Sequence, residues 1–158
     1  KKKMKQHWNY EIVNLGYKYN MNDLMASIGI SQFRKLKKFN LRRKKILEKY
    51  LNGISNLKSL KPTFPYILKD SSYWLFSIRT KKRDQLVNFL RKKNISTAVH
   101  FVPLPLNKLY KKYKSNVKNS LKVWKEIVSL PFFPDLDKKK LNYIIKCLKL
   151  FDEKNFNE

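Results

Sequence analysis

Cysteine is almost missing from this chain: Cys147 stands alone, inside a stretch with helical spacing. One thiol builds no disulfide framework, which suits a reducing cytosol and leaves Cys147 as a small buried hydrophobe, not a nucleophile. No apolar run approaches the ~20 residues needed to cross a bilayer, and no secretory pattern opens the chain. A cytoplasmic protein with no membrane partner is therefore expected. Histidine is scarce as well, and His7 has no companion ligands near it, so no metal site is expected. There are no internal repeats. The first residue is Lys, not Met, so the true N-terminus is expected elsewhere.

Negative charge is the other shortage. Eleven acidic residues face 37 basic ones, for a formal net charge of +26. Such an excess invites a nucleic-acid reading. Lysine, however, supplies 31 of the 37 basic residues, whereas base and phosphate recognition favours the arginine fork. Alanine and glycine are nearly absent while Asn, Ile, Tyr and Phe abound, the bias of an AT-rich genome, which places lysine on every solvated face. The basic residues are spread along the whole chain and form no single stripe with interleaved aromatics. No specific nucleic-acid partner is expected, although a basic nucleic-acid-binding domain stays as an alternative.

What is present is enough for a core. With 42% hydrophobic residues over 158 positions, the chain can bury roughly two-thirds of its unfolded surface. The stretch Asn9–Ile30 carries the least lysine and two of the three glycines. A short extended run, Tyr10–Val13, meets a glycine turn at Gly16. Tyr17-Lys18-Tyr19-Asn20 then leads into an amphipathic helix. Asn20 is a candidate N-cap with Asp23 as its capping-box partner. A helix start beside a cation can cradle a phosphate. On local physics alone an ordinary capped helix after a turn is the favoured reading, since the Asp23 charge would repel an anion.

Helical spacing links Met21, Leu24, Met25, Ile28, Phe33 and Leu36, and a second helical pattern runs through Ile46, Leu47, Tyr50, Leu51 and Ile54 to a stop at Asn52-Gly53. Pro62 and Pro65 mark a loop. Tyr73–Thr80 reads as a strand with Trp74, Phe76 and Ile78 on one face. Lys82–Lys93 is predicted helical with Asn94 as its stop, and Ile95–Val102 as a second strand. Asn119–Leu130 is a predicted helix. Pro131 and Pro134 fix an extended segment whose Phe132 and Phe133 pack on the core. Asp137–Lys154 is the last helix. The pattern is α+β, a small sheet with helices packed on it.

The segment GYKYNMNDLMASIGISQF followed by KLKKFNLRRKKI resembles the DegT/DnrJ/StrS family of pyridoxal-phosphate sugar aminotransferases. Gly16, Tyr17, Tyr19, Met21, Asp23, Leu24, Ala26, Ile28, Gly29, Gln32, Asn40, Arg42 and Arg43 fit the family's pattern in register. SSYWLFSIRT, NISTAVHFVPL and SLPFFPDL are similar to later family segments. Where many members carry a histidine two residues past the proline of the V-P-L segment, this chain has Pro105.

The resemblance runs from about Trp8 to Phe151 and covers only the family's C-terminal part. It implies the small C-terminal domain of the aspartate-aminotransferase-like fold (fold type I). Residues 1–56 would be a linker turn and long helical segment joining a cofactor domain, and residues 57–158 the small α+β domain. The Schiff-base lysine of the family precedes the region resembling GYKYNM, so no lysine here is catalytic and the chain alone is not active. The complete enzyme would pass an amino group from glutamate to a keto-sugar nucleotide, in amino-sugar or polysaccharide biosynthesis, as a homodimer. Lys18, Tyr19 and Asn20 would reach the pyridoxal phosphate of the partner subunit at its phosphate, with the contact falling to Lys18 or to Asn20. His100 would line the substrate pocket; by itself, a histidine between Val99 and Phe101 is more often structural. A non-catalytic remnant or dimerisation module is the remaining alternative.

Overall fold

The structure, a computed structural model, describes residues 14, 16–67, 71–110, 112–113 and 116–156. The expected extended run Tyr10–Val13 and His7 lie outside the described residues. The chain divides into two compact units, Lys1–Lys35 and Leu36–Glu158.

In the first unit, residues 16–22 have no regular structure, and helix α1 begins at Asp23 and runs to Ile54. Its N-cap is Asn22, not Asn20. The Met25 N–H donates to Asn22 Oδ1 at 2.8 Å, and the Ala26 N–H donates to the Asn22 carbonyl at 2.9 Å. A cap serves the amide three residues on. Only Asn22 stands at that distance from the first turn, and Asp23 then puts its charge on the favourable end of the helix dipole. Asn20 is two residues outside the helix. The helical spacing of the apolar residues holds, but they are not buried: Leu24 is 71% and Phe33 76% exposed.

The two helical patterns expected before residue 55 form one helix of 32 residues. No proline interrupts it, and Gly29 costs it only about 1 kcal/mol relative to alanine.

In the second unit, the last turns of α1 supply Ile46, Leu47, Tyr50 and Ile54 to a single buried cluster. Strand β1 (Lys61–Pro62), strand β2 (Phe76–Arg79) and strand β3 (Ile127–Leu130) form an antiparallel sheet in the order β1-β2-β3. Phe76 stands opposite Leu130 and Ile78 opposite Val128, so period-two alternation puts these four on one buried face. Helix α2 (Arg83–Lys92) adds Leu86 and Leu90 to the cluster. Helix α3 spans Lys118–Glu126, and helix α4 (Lys138–Phe156) adds Leu141, Ile144, Cys147, Leu148 and Phe151. Cys147 is a buried free thiol.

Tyr50 is the centre of this core. Its ring stacks on Phe76 at 4.6 Å, and its hydroxyl donates to the Pro131 carbonyl at 2.8 Å. Burial pushes its phenol far above the ordinary range, so it stays a neutral donor. That bond ties the proline-bracketed exit from β3 to α1. Phe132 packs inward as expected, whereas Phe133 is exposed.

Three expected elements differ. Ile127–Leu130 leaves the helix and becomes β3, because its amides and carbonyls pair with β2. Ile95–Val102 is not a strand: only Ala98 pairs, exchanging hydrogen bonds with Ser129 at 3.1 and 2.8 Å. Phe101, at φ 35°, turns the chain out of extended geometry before Pro103, which has no N–H to pair. Trp74 lies outside β2 and is exposed, although Phe76 and Ile78 point inward as expected. Asn94 does stop α2, at φ 57°, a left-handed conformation that asparagine tolerates.

Candidate functional site

Lys18, Tyr19 and Asn20 sit together in the irregular segment that feeds α1, and all three are exposed. The Tyr19 ring leans against Tyr17, with centroids 5.9 Å apart. Neither the Lys18 ammonium nor the Asn20 carboxamide has a partner among the described residues. Since Asn22 does the capping, the Asn20 side chain is left over from helix formation and is available for something else.

His100 belongs to the second unit. It lies at the mouth of a groove of about 920 Å³. Part of its lining is the segment after His100, with Pro103 before and Pro105 within the short 3-10 turn Leu104–Leu106, and a second such turn at Lys108–Tyr110. Another part is α3 and the start of β3, through Ser120, Val123, Trp124 and Ile127. Tyr110 and Tyr113 complete the lining. The His100 ring is 5.8 Å from the Phe101 ring, and Phe101 is 86% exposed. A bulky aromatic residue with a positive φ carries about 1–3 kcal/mol of strain.

The α3 wall is held from behind. Arg83, at the start of α2, is buried to within 9% of full exclusion, and its guanidinium lies over the Trp124 ring at 5.6 Å. Its Nη1 donates to the Trp124 carbonyl at 3.2 Å, and Asp84 pairs with it on the solvent side. Two residues further along, Arg79 on β2 gives two hydrogen bonds to Glu126. Those bonds, with the charges of Arg79, Lys122 and Lys81, hold the Glu126 carboxyl below the usual carboxylate range. Strand β2 and helix α2 thus fix both the last turn of α3 and the tryptophan that floors the groove.

A second concavity of about 320 Å³ is lined by Phe64, Tyr66, Tyr73 and Trp74 together with Phe76 of the central strand. Among the described residues no cluster of three His, Cys, Asp or Glu can hold a metal ion, and no helix is long and apolar enough to cross a membrane.

The sequence picked out Lys18, Tyr19, Asn20 and His100, and the structure brings the first three together in one turn and sets His100 in a groove of the other unit. Trp124 had only the look of a helical core residue. The signal that it matters was the arginine on α2, which no local pattern connects to it.

A small antiparallel sheet backed by the last turns of a long helix, with further helices packed on it, defines an α+β protein. Residues 1–149 match the DegT/DnrJ/EryC1/StrS aminotransferase family, and the chain belongs to that family. It is similar to protein MJ1066 of Methanocaldococcus jannaschii, itself uncharacterised, at 34% identity over 94% of this chain and 41% of that protein. It is also similar to the spore coat polysaccharide biosynthesis protein SpsC of Bacillus subtilis, at 28% identity over 90% of this chain and 39% of SpsC. Among solved structures, Spr1654 of Streptococcus pneumoniae, provisionally assigned as a sugar aminotransferase, superposes with a TM-score of 0.79 at 30% identity, covering 93% of this chain and 39% of that one. That protein has been solved in a PLP form as well as in a PMP form. The chain thus spans about two-fifths of the length of the relatives it matches.

Proposed function

We propose that the chain is the C-terminal part of a PLP-dependent aminotransferase that passes an amino group from glutamate to a keto-sugar nucleotide, with the fold type I architecture in its complete form. The observation that carries this reading is the irregular segment Lys18–Asn20: an ammonium, a phenol and a carboxamide on three consecutive exposed residues, unused by the helix they precede. Such a set fits the phosphate end of pyridoxal phosphate, since each group can donate to an anionic oxygen. When bound, the cofactor supplies the electron sink for moving the amino group.

The chain's own residues have narrower roles. Asn20 donates its carboxamide N–H to a phosphate oxygen, and Lys18 neutralises charge beside it. Tyr19 shields the pair from water, with Tyr17 at its side. His100 orients the sugar by a hydrogen bond from its ring at the groove mouth. The Schiff-base lysine belongs to a cofactor domain joined through residues 1–56, so the 158-residue chain alone does not transaminate. A second copy completes the site in a homodimer, a reading supported by the exposed apolar residues Leu24, Met25, Ile28 and Phe33 on the helix that follows the turn. A non-catalytic remnant or dimerisation module is the competing reading.

The test uses the chain joined to a family cofactor domain. Asn20→Ala should release the cofactor about tenfold more readily, the worth of one charge-assisted hydrogen bond. His100→Ala should raise KM for the sugar nucleotide while leaving kcat nearly unchanged, as a uniform binding contact does. Unaltered cofactor retention in Asn20→Ala would remove the phosphate role. A joined protein that dimerises yet never moves an amino group from glutamate would leave the dimerisation module standing instead.

A further inference from the structure

One arginine of the long helix has no task in the fold. Arg43 is half-buried on α1, and its Nε is closed off from solvent without a hydrogen-bond partner. Among the described residues its one hydrogen bond is a long one, from Nη1 to Asn40 Oδ1 at 3.5 Å, and no carboxylate stands within ion-pair distance. Its neighbour Arg42, by contrast, is answered by Asp135 at 2.7 Å. A buried donor left unpaired costs free energy, so native chains keep few of them. Leu47 follows Arg43 by four residues, which puts the two one turn apart on the same face of α1. Leu47 also lines the concavity of about 320 Å³, together with Phe76. Phe64, Tyr66 and Trp74 line it too, each more than half exposed. No charged residue is among its described lining. An uncharged aromatic hollow therefore lies one helical turn from a guanidinium whose fork is not filled.

We infer that Arg43 and this concavity together form a binding site for a small carboxylic acid with a flat apolar body. The ring of the acid enters among the exposed aromatic side chains, where offset or edge contacts hold it. Its carboxylate, carried on a short arm, meets the guanidinium, whose planar fork matches two carboxylate oxygens. Pairing turns the fork out of its present pose and gives Nε an acceptor, so the donor orphaned in the free chain favours the acid over any neutral analogue. The volume suits a ligand of one ring, at the lower end of small-molecule sites, which begin at about 300 Å³. A second copy of this chain is a poor occupant. With 11 acidic residues against 37 basic ones, it has few carboxylates to offer and a like charge to overcome.

The test is calorimetric titration of the 158-residue chain with 3-phenylpropanoate and, separately, with its neutral amide at about 0.15 M salt. The acid should bind about tenfold more tightly than the amide, the worth of a charge-assisted fork. Arg43→Met should remove that preference, bringing the acid to the affinity of the amide and leaving the amide within about twofold of its parent value. Arg43→Lys keeps a point charge without the fork and should restore only part of the preference. Trp74→Ala should weaken acid and amide alike, by about threefold or more. Arg34→Met removes the same charge from an exposed position of α1 and should alter neither affinity beyond about twofold. Equal binding of acid and amide by the parent, no binding of either below about 10 mM, or equal losses in Arg34→Met and Arg43→Met would each overturn the site. Loss of the amide along with the acid in Arg43→Met would overturn it too, since Arg43 would then hold the hollow open instead of meeting the ligand. A capped peptide with glutamate beside phenylalanine should bind no more tightly than the free acid. Tighter binding would make a protein segment the occupant, and the small acid would fall. None of these titrations uses cofactor, amino donor or sugar, so transamination by a joined enzyme neither rescues nor removes the site.

Discussion

Asp152 is a buried carboxylate of the second unit. Its carboxylate accepts the Lys58 amide at 3.0 Å, the Ser59 amide at 2.7 Å and the Ser59 hydroxyl, so it staples α4 to the loop that follows α1. Burial is the largest single influence on its pKa and pushes it up. The Ser59 hydroxyl and the two amides, helped by the Lys61 charge, outweigh burial together and hold the carboxyl below its ordinary value. A depressed folded pKa means that the stabilisation is complete above the unfolded pKa of about 3.9 and drains away as pH falls through the folded value. Asp152→Asn keeps the shape and loses the charge. At neutral pH it should be less stable by about 1–3 kcal/mol, the cost of a weakened buried hydrogen-bond set. Urea melts repeated from about pH 7 to pH 3 should show the gap between the two proteins closing below pH ~4. Parallel curves over that range would mean that the carboxylate contributes nothing through its charge.

Among the elements, the end of α1 comes close to α4 at Gly53. A Cβ built on Gly53 would meet Ile145 Cγ2 at 2.7 Å and Cδ1 at 2.9 Å. Glycine is required there by proximity, not by a positive φ, and a branched side chain such as isoleucine has little freedom to withdraw. Gly53→Ala should therefore cost about 1–3 kcal/mol by overpacking, less up to about 1 kcal/mol recovered as helix propensity. Ile145→Ala alone costs its own cavity, but the double variant should be more stable than the sum of the two losses. Strict additivity in that cycle would mean that the two helices part freely.

The same elements show what the sequence could and could not disclose. α2 and α4 were legible because apolar spacing and stop residues agree, as at Asn94. β3 was not, because Ile127 and Val128 continue the helical spacing of Leu121 and Trp124, and only pairing with β2 decides their conformation. The cap was misplaced by two residues since Asn20 and Asn22 are chemically identical candidates and only the Met25 amide chooses between them.

For the molecule as a whole, the motifs that carry chemistry were readable and the space they open onto was not. Lys18, Tyr19, Asn20 and His100 stand in recognisable segments, whereas the groove beside His100 exists only because Arg83 sets Trp124 from another element. Net charge behaves in the opposite way: +26 is plain in the sequence, yet its meaning depends on distribution. Lysines occur on α1, α2, α3 and α4 alike, and three acidic residues already have arginine partners, at Asp135, Glu126 and Asp84. A surface of that kind attracts any polyanion at low salt by releasing its counterions and distinguishes no sequence. Binding to a 20-base-pair duplex should be measurable at about 0.05 M salt and fall by a factor of ~10³ or more by 0.2 M, equally for AT-rich and GC-rich duplexes. Should duplex binding instead survive 0.2 M salt with a preference for one sequence, the basic surface would be the functional one, and the aminotransferase ancestry of the chain would describe its fold and not its work.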